Sequence, residues 1–221
     1  MNASDKSFLI FDMDGLLIDS EPLWWQAEHA LAKAYGCSWS DELARSCLGT
    51  GLPNAIATMQ REVGLPVAVD EGVAWLLEFF SDHVGRLRLK PGCREILENS
   101  HRYTRAVASS SPLHLIERVV QQFEIGSYFA DLVSGEMVQN PKPAPDIFLH
   151  SCQRQGFTAA QSVVLEDSVA GCQAGVAAGA SVIAIPEYEQ EYPRYHAVTP
   201  YVVGDLFEAG ALLGMTFDSS N

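Results

Sequence analysis

The chain has 221 residues, 48% of them apolar, and a formal net charge of -14, so it can bury a full hydrophobic core. The negative charge repels polyanions, which argues against nucleic acid and anionic membrane surfaces as partners. The five cysteines include no C-x-x-C pair, and no stretch reaches roughly 18 apolar residues, so we expect a cytoplasmic protein without disulfides, a signal peptide or a membrane span.

A short apolar run at 8–11 is predicted to form the first strand, buried on both faces of a parallel sheet. It leads into Asp12 and Asp14, whose side chains point to the same side of an extended chain. Open α/β sheets carry their sites at the carboxyl ends of strands, and Mg²⁺ commonly keeps two neighbouring carboxylates ionised. The pair therefore indicates a magnesium site, although a solvated acidic turn also fits these residues.

A helical insert is predicted after the first strand. Helical patterns interrupted by turns run from about residue 20 to 85, and no convincing strand pattern lies between 20 and 88. The basic segment 86–92 contains Pro91 and Gly92 and indicates a link back to the main unit. We therefore predict a helical domain at 17–87, inserted into a main domain formed by 1–16 and 88–221.

Strands and helices alternate in the rest of the chain. Strands are predicted at 104–109, 132–134, 162–166, 181–185 and 201–203. Helices are predicted at 94–99, 113–123, 145–154, 169–178 and 206–213. This βαβ alternation is typical of a sheet covered by helices on both faces. The predicted fold class is α/β, a doubly wound, mostly parallel, Rossmann-like core with an inserted α-helical domain.

Three further strand ends carry polar groups. Ser109 and Ser110 precede a helix and offer a hydroxyl and backbone N–H groups to an anion, although a simple helix cap fits as well. Lys142 lies between two prolines, which either aim its ammonium group or form a rigid turn with a solvated lysine. Glu166 and Asp167 repeat the opening pattern, and an acidic turn before a helix is the alternative.

These motifs, in this order, resemble those of the haloacid dehalogenase superfamily of phosphohydrolases over essentially the whole chain. The resemblance implies that Asp12 attacks phosphorus and forms an aspartyl-phosphate, while Asp14 acts as general acid and base. It also implies that Ser109 and the Ser110 N–H hold phosphoryl oxygens and that Lys142 neutralises charge. The dehalogenases lack the second aspartate, so the dehalogenase reaction is not expected.

The resemblance further implies a Mg²⁺ cofactor. Asp12, the Asp14 carbonyl and Asp167 would bind the metal, and Glu166 would support it through water. Because phosphoryl transfer needs positioning and charge neutralisation, a metal ion, a lysine and N–H groups are what such a protein must supply.

The helical insert resembles the small cap domain of that family, which closes over the site and selects the substrate. Its candidate substrate contacts are Thr50, Asn54 and Trp24. The segment with Thr50 also fits an interhelical turn without a ligand, and Trp24 also fits the core of the cap.

The implied function is hydrolysis of a small phosphorylated metabolite. Residues 12–24 and 109–114 are most similar to sugar-phosphate phosphatases such as the 2-deoxyglucose-6-phosphate phosphatases, so a sugar phosphate is expected. Pseudouridine-5'-phosphate phosphatases share the first of these segments. A monomer is the expected oligomeric state.

Two other functions share part of this pattern. The similar β-phosphoglucomutases carry a histidine where this chain has Trp24, and a lysine and an arginine where it has Leu48 and Leu52, which disfavours a phosphosugar mutase. A receiver-like phosphoacceptor module also combines acidic residues, a hydroxyl, a lysine and Mg²⁺. The long insert and the spacing of Asp12 and Asp14 disfavour it.

Overall fold

The computed structural model describes residues 5–47 and 51–217. The chain divides into two compact units, unit 1 (Met1–Asp19 with Arg88–Asn221) and unit 2 (Ser20–Leu87). Unit 2 is therefore one continuous stretch of chain inserted into unit 1.

Unit 2 begins at Ser20, whereas the predicted insert begins at residue 17, because the intervening residues are tied into unit 1. Lys90 N–H donates to the Leu17 carbonyl at 2.9 Å, and Asp19 N–H donates to the Arg88 carbonyl at 2.9 Å. Leu17 is also completely buried. These backbone contacts extend beyond the first strand, which a pattern of apolar residues does not reveal.

Unit 2 consists of helices around its own apolar core. The helices are α1 (Glu21–Ala34), α2 (Asp41–Ser46), α3 (Leu52–Val63) and α4 (Val69–Asp82). Leu31 of α1, Ile56 of α3 and Leu76 of α4 are completely buried in this core. The ring of Trp24 stacks on Phe80, with centroids 4.1 Å apart. Helices this short are marginal alone, and burial worth about 25 cal/mol per Å² of apolar surface stabilises them together.

Unit 1 is built on a parallel sheet. Its strands are β1 (Phe8–Phe11), β2 (Thr104–Ser109), β3 (Asp131–Ser134), β4 (Ser162–Glu166), β5 (Ser181–Ala184) and β6 (Tyr201–Val202). Their order is β3-β2-β1-β4-β5-β6, and neighbouring strands pair in parallel throughout the described residues. The chain runs outward from β1 to β3, returns to the other side of β1 and runs outward again to β6. The predicted doubly wound α/β class is confirmed.

Six helices connect and cover these strands in the described part of unit 1. They are α5 (Cys93–Asn99), α6 (Leu113–Gln122), α7 (Asp146–Gln155), α8 (Val169–Ala178), α9 (Tyr192–His196) and α10 (Leu206–Leu212). Sequence periodicity did not predict α9, because five residues are too few to show a helical period. Across residues 5–47 and 51–217, no helix combines the length and apolar character needed to cross a bilayer.

The central strand β1 is buried on both faces. Each of its residues has 0% exposure. Phe8 and Ile10 pack in the same core as Phe148 of α7, while the Phe11 ring, on the opposite face, meets the edge of Phe129 with centroids 6.0 Å apart. Because successive side chains of a strand alternate between its faces, burial on both produces the continuous apolar run seen in the sequence.

Unit 2 also buries one carboxyl group. Glu28 of α1 is 5% exposed, and Trp39 Nε1–H donates to its Oε2 at 3.0 Å. Burial raises the pKa of Glu28 above its usual value of 4.5, although the Trp39 hydrogen bond and the nearby His29 act in the opposite direction. The charged form of Glu28 therefore costs unit 2 stability at neutral pH.

We expect Glu28→Gln to make unit 2 more stable than the wild type at about pH 8, because a neutral amide oxygen still accepts from Trp39 without a buried charge. The raised pKa means that the wild type gains stability as pH falls through the folded-state pKa towards 4.5, and the variant loses this dependence. Urea unfolding followed by tryptophan fluorescence measures the free energy of unfolding of unit 2 at each pH, since the tryptophans all lie in that unit. Glu78→Gln, which replaces an exposed carboxylate of the same unit, is the control; equal pH profiles for the two variants would contradict the prediction.

Candidate active site

Three neighbouring strands each bring one residue to the same level of the sheet. Phe11 of β1 pairs with Val107 of β2 on one side and with Leu165 of β4 on the other. The residues that follow these three are Asp12, Ala108 and Glu166. Because the strands are parallel, the backbone register alone places these residues side by side at the carboxyl end of β1.

The ammonium group of Lys142 lies among these residues. Its Nζ donates to Asp12 Oδ1 at 2.6 Å, to Glu166 Oε1 at 2.6 Å and to the Ala108 carbonyl at 3.2 Å. The lysine side chain is 7% exposed, and the Glu166 side chain is completely buried. Three acceptors match the three protons of an ammonium group, so Lys142 is not the solvated lysine of a plain rigid turn.

The charges around Lys142 do not balance: its ammonium group contacts the carboxyl groups of Asp12 and Glu166, and the carboxyl group of Asp167 also interacts with it electrostatically. Burial raises the pKa of Asp12 to about 7; Lys142 opposes this shift, while the charges of Glu166 and Asp14 add to it. Burial also raises the pKa of Asp167, with Glu166 and Asp12 acting in the same direction. Burial alone would lower the pKa of Lys142, but the charges of Asp12 and Glu166 outweigh it and raise the value. The site therefore holds a protonated lysine and an excess of acidic groups.

Asp14 is held by the loop that follows β2. Ser111 Oγ donates to Asp14 Oδ2 at 2.7 Å, and Ser109 Oγ lies 3.4 Å from the same oxygen. Ser110, between these two serines, is exposed. Ser111 was not among the predicted site residues, because a run of three serines does not show which hydroxyl turns towards a carboxylate on another strand.

Two glycines make room for the carboxyl groups of β4 and its loop. Gly15 has a φ of 77°, and a β-carbon at this position would collide with the carboxyl group of Asp167. A β-carbon at Gly171 of α8 would overlap the carboxyl group of Glu166. Both glycines thus permit close approach of backbone to carboxylate. The sequence gives no sign of this close approach at Gly171, because Glu166 lies on a different element.

The β4 carboxylate is also fixed by hydrogen bonds. Ser168 donates to Glu166 Oε2 from its N–H at 3.0 Å and from its Oγ at 2.8 Å. The Tyr195 hydroxyl donates to the Asp167 carbonyl at 2.5 Å. Glu166 therefore has one oxygen on Lys142 and the other on Ser168, which fixes the plane of its carboxylate.

The donor set of this site suits a divalent cation. No group of three His, Cys, Asp or Glu side chains forms a complete metal site among the described residues. Mg²⁺, however, commonly takes one or two carboxylates and keeps several waters. Asp12 and Asp167 offer two carboxyl groups, the Asp14 carbonyl lies in the same loop as Gly15, against which Asp167 packs, and the local charge is negative. These residues fit such an ion.

The predicted substrate contacts of the insert belong to unit 2. Trp24 packs on Phe80 inside unit 2. Asn54 is exposed near the start of α3. Thr50 lies outside the described residues. Their contact with substrate stays a prediction.

Comparison with known proteins identifies the family. A family model described as haloacid dehalogenase-like hydrolase matches residues 9–185, most of the chain. The chain belongs to this family. The family predicted from the order of the motifs is thus confirmed.

Relatives of this hydrolase cover most of its length. The phosphorylated carbohydrates phosphatase of Thermotoga maritima is 33% identical over 183 residues, or 77% of this chain and 81% of that protein. Hexitol phosphatase B of Escherichia coli K12 is 32% identical over 206 residues, 84% and 86% of the two chains. The crystal structure of CbbY from Rhodobacter sphaeroides in complex with phosphate has a TM-score of 0.81 at 25% identity, with 93% and 98% of the chains covered. Several relatives are named phosphatases, and this hydrolase is a phosphatase.

We expect Gly171→Ala to destabilise unit 1 by about 1–3 kcal/mol, the usual cost of overpacking, and to reduce phosphatase activity, because the added methyl group displaces Glu166 from Lys142. Urea unfolding followed by circular dichroism measures the stability. Gly126→Ala in the same unit is the matched control, since its β-carbon would meet only a Val120 methyl group at 3.8 Å, an ordinary van der Waals distance. Stability and activity equal to those of Gly126→Ala would contradict the assigned role of Gly171.

Proposed function

We propose that this phosphatase hydrolyses phosphate monoesters of small metabolites, with Mg²⁺, through an aspartyl-phosphate on Asp12. The observation that carries the proposal is the contact of Lys142 Nζ with Asp12 Oδ1 and Glu166 Oε1, both at 2.6 Å. A lysine buried beside a carboxylate at a strand end can neutralise both a nucleophile and the phosphoryl group that it attacks. In a solvated acidic turn, water would screen the carboxylates and no buried lysine would be needed.

The first proposed step transfers the phosphoryl group to Asp12. A carboxylate oxygen of Asp12 attacks phosphorus, the bond from phosphorus to the ester oxygen breaks, and the carboxyl group of Asp14 gives its proton to the leaving oxygen. The Ser109 hydroxyl and the Ser110 N–H hold phosphoryl oxygens during this transfer. Asp14 is suited to the role because it follows Asp12 by two residues and its carboxyl group is held in place by the Ser111 hydroxyl, which donates to Oδ2 at 2.7 Å.

The second proposed step hydrolyses the acyl phosphate. The Asp14 carboxylate takes a proton from water, the water oxygen attacks phosphorus, and the bond from phosphorus to Asp12 breaks. The products are inorganic phosphate and the free Asp12 carboxylate, and Asp14 again carries the proton that the next cycle needs.

Mg²⁺ is proposed as the cofactor. Asp12, the Asp14 carbonyl and Asp167 would hold it, with Glu166 acting through water. When bound, it supplies positive charge that stabilises the phosphoryl oxygens. The support comes from charge: burial and neighbouring carboxylates raise the pKa of both Asp12 and Asp167, and a phosphate ester would add further negative charge to the same place.

A sugar phosphate is the proposed substrate class. The names of two relatives, a phosphatase of phosphorylated carbohydrates and a hexitol phosphatase, support it. Unit 2 is proposed to be the cap that selects the substrate, with Trp24, Thr50 and Asn54 as its contacts. We also propose that the protein is a monomer and that it lies in the cytoplasm; the second proposal fits five cysteines that include no C-x-x-C pair.

We expect the protein to release phosphate from sugar phosphates faster than from nucleotides in the presence of Mg²⁺, and to stop when EDTA removes the metal. Asp12→Asn should abolish turnover, and Asp14→Asn should lower it by about 10²- to 10⁴-fold, the usual contribution of general acid and base catalysis. Phosphate release across a substrate panel measures these changes. Rapidly quenched wild-type enzyme should carry phosphate that hydroxylamine removes, as expected of an acyl phosphate.

Asp205→Asn is the matched control. It changes a carboxylate in the same unit whose side chain accepts from Glu208 N–H at the start of α10, and asparagine caps a helix equally well. Unchanged turnover in Asp12→Asn would overturn the aspartyl-phosphate. Transfer of phosphate between two positions of a sugar, without release, would favour a mutase, and a stable acyl phosphate without turnover would favour a phosphoacceptor.

A further inference from the structure

Asp14 has a hydrogen-bond partner that the proposed reaction does not yet use. We propose that Ser111 is a positioning residue, whose hydroxyl orients the Asp14 carboxyl group for proton transfer to the leaving oxygen. This inference rests on the function proposed above, in which Asp14 is the general acid. Its basis is the 2.7 Å contact from Ser111 Oγ to Asp14 Oδ2, a length typical of a hydroxyl that donates to a carboxylate.

The two serines that face Asp14 have different tasks. Ser109 Oγ lies 3.4 Å from Asp14 Oδ2, which is too long for a strong O–H···O bond. A serine hydroxyl has one proton to donate. When Ser109 gives that proton to a phosphoryl oxygen, as proposed, it cannot also hold Asp14. Ser111 can keep its contact with Asp14 while Ser109 serves the phosphate.

Ser111 is well placed for this task because its backbone is held on both sides. Its N–H donates to Ser109 Oγ at 3.1 Å, and its carbonyl accepts from Ser134 Oγ at 2.7 Å. Ser134 is completely buried at the end of β3, where it pairs with Ser109, and its Oγ accepts from Glu136 N–H at 3.1 Å. The hydroxyl that contacts Asp14 is therefore attached to the edge of the sheet rather than to a free loop.

A fixed general acid matters most for esters with a poor leaving group. An alkoxide from a sugar needs a proton as it departs, whereas p-nitrophenolate leaves readily without one. Loss of the Ser111 hydroxyl should thus lower the rate for alkyl phosphates much more than the rate for p-nitrophenyl phosphate. A merely structural loss would lower both rates alike. The ratio kcat/KM is the proper measure, because its value depends on the steps up to the departure of the leaving group and not on the later hydrolysis of the acyl phosphate.

We expect Ser111→Ala to lower kcat/KM for the best sugar phosphate by about 10- to 100-fold, the range that one hydrogen bond to a charged group represents, and to leave p-nitrophenyl phosphate within about threefold of wild type. Ser111→Thr, which keeps the hydroxyl, should restore most of the activity on the sugar phosphate. Equal losses on the two substrates, or none on either, would overturn the role of Ser111. Should Ser111→Ala unfold, Ser111→Cys, with similar size and a weaker donor, should show the same selective loss.

Two further variants separate this inference from the proposed function. Ser162→Ala removes another buried serine of the same sheet, whose Oγ donates to the Thr158 carbonyl at 3.0 Å at the start of β4, and it should not change the ratio of the two substrates. Asp14→Asn should show the same selective loss as Ser111→Ala, only larger, and the two changes combined should add little beyond Asp14→Asn alone. Selective loss in Asp14→Asn but not in Ser111→Ala would overturn only the inference, whereas no selective loss in Asp14→Asn would overturn the proposed role of Asp14 itself.

Discussion

A buried ammonium group surrounded by carboxylates is the interaction on which the strand-end site depends. Lys142 comes from the irregular segment before α7, yet its Nζ touches groups at the ends of β1, β2 and β4. Removal of one partner from such a buried group typically costs about 3–5 kcal/mol, because the remaining charge is left uncompensated. The lysine therefore joins separate strands as well as balancing part of the negative charge, and the remaining negative charge is what the proposed metal ion would offset.

The carboxyl groups of this site are packed so closely that the backbone next to them must carry no side chain. Glu166 is completely buried between Lys142, Ser168 and the bare backbone of Gly171, and Asp167 lies against Gly15. Several like charges are thus held at short range in a low-dielectric interior, an arrangement that costs stability when no cation is near. The fully buried central strand and the apolar cores of both units offset this loss of stability. Functional sites commonly reduce the stability of a protein in this way.

Much of the fold followed from local patterns, whereas the contacts of the site did not. Continuous apolar runs identified the parallel strands because both faces of strands such as β1 are buried, and most helices showed their period. The short helix α9 and the ties of residues 17–19 to unit 1 left no such pattern. Asp12 and Lys142 were chosen from motifs, but the contact of Ser111 with Asp14 and the clearance at Gly171 depend on side-chain direction and on partners distant in sequence, which periodicity does not encode.

The strand order has a consequence for synthesis of the chain. β1 is the first strand to be made and lies at the centre of the sheet, between β2 and β4. Its neighbour β2 begins at Thr104 and β4 at Ser162, so one edge of this apolar strand has no partner until β2 has been made, and the other edge has none until β4 has been made. Unit 2 is made during that interval and has its own core. A nascent chain can thus complete its helical unit first, but β1 is paired on both edges only after Glu166 has been made, so this apolar strand stays open to aggregation until then.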